Sequence, residues 1–130
     1  MQILQPPGWA RPRGYANGIL ARGQIVFVAG QVGWDAQCRF QSSELVDQVR
    51  QALENVVAVL AQAGARPEHI VRMTWYVTDK REYTGAYAGI GAVYRQLIGA
   101  HYPAMTAVQV SALLEEKAKV EIEATAVIPD

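Results

Sequence analysis

Between Ala118 and Ala126 the chain alternates without a break: Val120, Ile122, Ala124 and Ala126 against Lys119, Glu121, Glu123 and Thr125. A period of two belongs to a strand with one apolar and one polar face. Such a strand is not stable alone, so other elements must cover its apolar side. A companion stretch, Tyr102-Pro103-Ala104-Met105-Thr106-Ala107-Val108-Gln109-Val110, also reads as a strand, opened by a proline that ends the preceding helix.

The covering elements are legible upstream. Val46, Val49, Leu53, Val56, Val57 and Leu60 recur at helical spacing and predict a helix over 44–63. Ser42 and Ser43 are its candidate N-caps, and Gly64 and Pro67 end it. A second helix is expected over 82–98, with Tyr83, Tyr87, Ile90, Tyr94 and Leu97 on one side. Gly85, Gly89 and Gly91 weaken it unless something packs close. Residues 69–79 read as a strand with Val71, Met73, Trp75 and Val77 on one face. Residues 24–31 hold Ile25, Val26, Phe27 and Val28 in succession, which predicts a strand buried on both faces. Residues 6–14, rich in Pro and Gly, read as loop, followed by an Asn17-Gly18 turn and a short strand over 19–22.

The order is β-β-α-β-α-β-β, an α+β fold with a mixed sheet and two helices on one face. Two helices leave the other sheet face bare, although it carries Tyr76 and part of the Ile25–Val28 run; a partner subunit is expected to cover it. With 130 residues, half of them apolar, one domain over 1–130 is expected. Lys+Arg and Asp+Glu balance at 12 each, with no charge block, which argues against a nucleic-acid or membrane partner. The N-terminus lacks the pattern of a secretory signal, and the single Cys38 fits a reducing compartment, so a cytoplasmic protein is expected. His69 and His101 stand apart from any metal-ligand cluster, and no glycine-rich phosphate loop follows a strand. No metal and no cofactor are therefore expected.

Several short pieces, taken in order, resemble the RidA/YjgF family. They are Gly14-Tyr15, Val28-Ala29-Gly30-Gln31-Val32, the Gln48 to Gly64 helix with Ala52-Leu53-Glu54-Asn55-Val56, Ile70-Val71-Arg72-Met73-Thr74 with Val77-Thr78-Asp79, and the two closing strands. The resemblance implies a chorismate-mutase-like fold assembling as a homotrimer, with a small-molecule cleft at each subunit interface. It implies hydrolysis of reactive enamines or imines. Residue by residue, it makes Glu121 the group that positions the attacking water and Tyr15 a second catalytic group. Gly30 and Ala107 fall at ligand-binding positions.

The chain departs from the family at Pro103-Ala104-Met105-Thr106, where the family's deaminases carry an arginine that grips the substrate carboxylate. Met105 replaces that fork of donors with a soft apolar surface. Ala29 replaces a serine, and an asparagine expected near Ala88 and Gly89 is missing. A substrate other than the small 2-imino acids is expected, such as a longer or ring-opened enamine. Arg13, two residues from Tyr15, is the candidate substitute cation, with Arg72 and Arg95 as alternatives. Trp34, in a glycine-bounded loop, is expected either to line the cleft or to anchor its loop. Glu123, on the same strand face as Glu121, is the natural control. The alternative is a non-catalytic ligand-binding or chaperone-like regulatory trimer; a ribonuclease fits the balanced charge least.

Overall fold

The computed structural model describes residues 1–130. Six strands are present: β1 (Gln2–Leu4), β2 (Gly18–Leu20), β3 (Gln24–Val32), β4 (Ile70–Val77), β5 (Ala104–Gln109) and β6 (Val120–Ile128). Three helices accompany them: α1 (Leu45–Gln62), α2 (Lys80–Gly85) and α3 (Tyr87–Leu97). The main sheet has the order β3-β6-β4-β5. β6 runs antiparallel to both of its neighbours, while β4 and β5 are parallel across the α2–α3 crossover. The sheet is mixed and the fold α+β, as the element order predicts.

The alternation of β6 explains its central place. Val120, Ile122 and Ala126 are fully buried against the helical layer, together with Val49, Leu53, Val56 and Leu60 of α1. Each large aliphatic side chain so buried contributes about 1.5–3 kcal/mol. The apolar stripe of α1 is therefore the lid over the face that β6 presents.

Five local expectations change. The strand at 19–22 is instead β2, which pairs antiparallel with β1 in a separate two-stranded ribbon. Asn17 does not make a hairpin turn; its Nδ2 donates to Gln5 Oε1 at 2.8 Å, tying the two ends of the N-terminal loop. The second helix breaks at Ala86, whose φ of −108° and ψ of 11° leave the helical region, so α2 and α3 are distinct. Gly89 lets α3 approach Val46 of α1, where an added Cβ would sit 3.1 Å from a valine methyl. In β4 the register shifts between Ile70 and Arg72, so Ile70 rather than Val71 joins Met73, Trp75 and Val77 in the core. Finally, β3 is not buried on both faces. It is an edge strand with one face under α1, where Val28 and Val32 are buried, while Ile25 (59 % exposed) and Phe27 (77 % exposed) stand in the open on the other.

Ser42 serves the start of α1 from just outside it. Its hydroxyl accepts from the Glu44 amide at 3.0 Å and donates to Asp47 at 2.8 Å. Gly33 marks the closest approach of the chain beyond β3 to α1: a Cβ there would lie 2.6 Å from Gln48 Cα. Gly33→Ala must push helix backbone aside and is expected to cost about 1–3 kcal/mol. Urea unfolding checks this, and an unchanged midpoint would mean that the helix yields freely. No helix is long and apolar enough to cross a membrane.

Candidate active site

The residues singled out by sequence fall into two groups on opposite faces of the main sheet. Parallel pairing sets Met105 beside Met73 and Ala107 beside Trp75. Met73 and Trp75 are buried under the helices, so Met105 and Ala107 face the helical side. Antiparallel pairing sets Glu121 beside Tyr76 and Glu123 beside Thr74, which puts both carboxylates on the open side.

On the helical side, Tyr15 is brought to β5 by main-chain pairing. The Ala16 amide donates to Pro103 O at 3.0 Å, and Ala16 bridges Ala104. Tyr15, Arg13, Met105 and Ala107 together line one groove of about 740 Å3. Its remaining walls are mostly aromatic: Trp75 from β4, Tyr83 from α2, Tyr87 and Tyr94 from α3, and Tyr102. Tyr94 stacks on Tyr102 with centroids 5.5 Å apart, and Tyr83 meets Tyr87 edge-on at 5.4 Å. Burial pushes the Tyr94 hydroxyl well above the ordinary tyrosine range and raises that of Tyr83, so both stay neutral. The Tyr94 hydroxyl donates to His101 O at 2.6 Å. Trp75 is 2 % exposed, and its indole N–H finds no acceptor.

Arg13 is the one charged side chain lining this groove, and it enters none of the ion pairs of the chain. Arg72 lies on the other face, in a recess of about 440 Å3 shared with Phe27, Thr74 and Glu123. Arg95 comes near the groove only at Gly91.

On the open side, the Glu121 carboxylate lies directly over Gly30. A Cβ at Gly30 would collide with Glu121 Oε2, so the glycine creates the space that the carboxylate fills. Glu123 is engaged instead: Tyr76 donates its hydroxyl to Glu123 Oε1 at 2.7 Å. That hydrogen bond, with lesser desolvation and the charges of Glu123 and Glu121, raises the Tyr76 pKa. Glu121 accepts no hydrogen bond from within the chain, so the two carboxylates differ in availability although they share a face. Gly30→Ala is expected to swing the Glu121 carboxylate away while keeping its charge, lowering activity about tenfold through lost positioning. The comparison is kcat of the variant against the parent; equal values would mean that the carboxylate needs no fixed place.

Trp34 lines neither groove. It packs on Phe40 with centroids 5.8 Å apart, and its carbonyl accepts from Asn55 Nδ2 at 2.8 Å, which anchors the loop after β3. A further recess of about 840 Å3, among loops that include Ser42, Ser111, Glu115 and Lys117, contains none of the candidate site residues. The aromatic walls are what sequence reasoning missed. Tyr83, Tyr87 and Tyr94 stood out as a helical stripe, the usual mark of a core face, whereas Tyr87 is exposed and lines the groove.

The chain is similar to several known proteins. Residues 10–128 match the family model described as Endoribonuclease L-PSP. A protein of Escherichia coli named as a reactive intermediate deaminase, TdcF, is 37 % identical over 98 % of this chain and 95 % of its own. The crystal structure of E. coli TdcF with bound serine superposes with a TM-score of 0.69 at 34 % identity, covering 98 % of this chain and 99 % of that one. The Rid family protein YyfB of Yersinia pestis superposes with a TM-score of 0.85 at 30 % identity, over 98 % of each chain. With its sequence, its fold and the order of its pieces all in agreement, the chain belongs to the Endoribonuclease L-PSP family, which is the RidA/YjgF family.

Proposed function

We propose that this protein is a hydrolase of reactive imines or enamines, working as a cytoplasmic homotrimer of single-domain chains. One observation carries the reading. Tyr15, Met105, Ala107 and Arg13 face one side of the sheet, while Glu121 over Gly30 faces the other. In one chain the two groups cannot meet on one ligand. In a ring of identical subunits, the groove of one copy faces the open sheet side of the next, and the exposed Phe27 and Ile25 gain cover. The name of TdcF as a deaminase and its structure with bound serine support a small-molecule ligand of amino-acid type.

The chemistry needs no redox partner. Glu121 orients a water and takes its proton as the oxygen bonds to the imine carbon, while the C=N electron pair moves to nitrogen. That proton is delivered to nitrogen to give a carbinolamine; its hydroxyl proton then passes through Glu121 to nitrogen as the C–N bond breaks, so that ammonia leaves and a carbonyl remains. Tyr15 and the main chain at Gly30 hold the ligand during these steps. Atoms balance as imine plus water giving carbonyl plus ammonia.

The decisive test mixes two inactive proteins, Glu121→Gln and Tyr15→Ala. Random mixing gives each mixed trimer one cleft with both groups intact, so activity is expected to recover to about a quarter of the parent. No recovery on mixing would count against shared clefts. A second reading, a non-catalytic binding trimer, is favoured by Met105, which removes the family's carboxylate grip. It predicts ligand binding by the parent protein without ammonia release.

A further inference from the structure

We infer that the groove selects imino acids with an aromatic side chain, the carboxylate being held by Arg13, an exposed residue of its lining. The inference rests on the hydrolytic reading above and names its substrate class.

Three observations carry it. First, five of the six tyrosines of the chain, together with Trp75, gather in this one groove. Such a concentration exceeds what core packing asks, because Tyr15 and Tyr87 remain exposed there. Second, the aromatic pairs leave geometry for another ring. Tyr94 and Tyr102 are already stacked, and Tyr83 and Tyr87 are edge-on, so an inserted ring meets faces and edges at once, the arrangement that aromatic groups favour. The groove volume of about 740 Å3 lies in the range of small-molecule sites and far exceeds what a three-carbon imino acid fills.

Third, the lining carries a single charge. Arg13 is the sole lining charge and is unpaired, while Met105 gives the interior a deformable apolar surface. A ligand with a planar apolar body and a carboxylate at one end satisfies both. The guanidinium provides the bidentate contact, and the ring covers Met105 and Ala107.

The test pairs kinetics with binding. Ammonia release is followed from 2-imino-3-phenylpropionate and from 2-iminopropionate, each generated in place by an amino-acid oxidase. Binding of the unreactive 3-phenylpropionate and of propionate is followed by calorimetry. The aryl imine is expected to show kcat/KM at least about tenfold higher than the small one. Arg13→Ala is expected to raise KM and weaken 3-phenylpropionate about tenfold, as loss of a charged grip does. Tyr87→Ala, at an exposed position, is expected to narrow the aryl preference.

If both imines are hydrolysed with no aryl preference and 3-phenylpropionate binds no better than propionate, the aromatic assignment is overturned while hydrolysis stands. If neither imine turns over but 3-phenylpropionate binds tightly and depends on Arg13, the groove assignment stands and the hydrolytic reading falls. If nothing turns over and nothing binds, both fall.

Discussion

Glu121→Gln is expected to lower kcat for imine hydrolysis by about 100-fold or more, the contribution of a positioned general base, while KM stays within about threefold. The substitution keeps the size and shape of the side chain, so the contact with Gly30 survives. What disappears is the capacity to take a proton from water. Glu123→Gln is the matched control. Glu123 shares the strand face but accepts from Tyr76 at 2.7 Å, and a glutamine oxygen can still accept there. Its kcat is expected to stay within about threefold of the parent, since a neutral hydrogen bond replaces a charge-assisted one at a half-buried site away from the Glu121 carboxylate. Equal losses in the two variants would mean that the open face acts through its overall charge, and the role given to Glu121 would be wrong.

Gln48→Leu is expected to destabilise the fold by about 3 kcal/mol, because three main-chain groups lose their partner at about 1 kcal/mol each. Gln48 is 1 % exposed, a polar side chain within the buried face of α1. Its Nε2 donates to Ser42 O at 3.1 Å and to Lys117 O at 2.9 Å, and its Oε1 accepts from the Lys119 amide at 2.8 Å. One amide thereby fastens α1 to the chain before it and to the chain entering β6. The strand that carries Glu121 is held in register partly by this clamp. Leucine matches the volume but leaves two carbonyls and one amide unpaired. Denaturant unfolding reads the change directly; a loss below about 1 kcal/mol would mean that water replaces all three contacts.

Both predictions use residues that the sequence presents very differently. Glu121 stands out because the alternation of β6 puts it on the polar face, and family resemblance supplies its role. Gln48 is visible in the pattern only as a polar residue amid the apolar stripe of α1. Its three partners lie up to 71 positions from it, and no local period reports such a meeting.

The same division holds for the groove. Tyr15 and Met105 are ninety positions apart, yet the Ala16–Ala104 bridge puts them side by side. That bridge leaves no trace in hydropathy. The break at Ala86 escaped for a related reason. Ala86 itself favours helix, but the break directly follows Gly85, one of the three glycines that weaken the pattern without saying where it parts.

Local order was therefore written in the chain where its pattern is unbroken: the alternation of β6 and the stripe of α1 follow from side-chain periods of 2 and 3.6 residues. Those periods say which residues share a face of an element, but not which face of a neighbour it joins. That choice came from strand register and from the parallel crossover between β4 and β5, which turned Met105 and Ala107 toward the helices and left Glu121 on the open side. It is non-local pairing, set by how the whole core closes, that separated the two halves of the site.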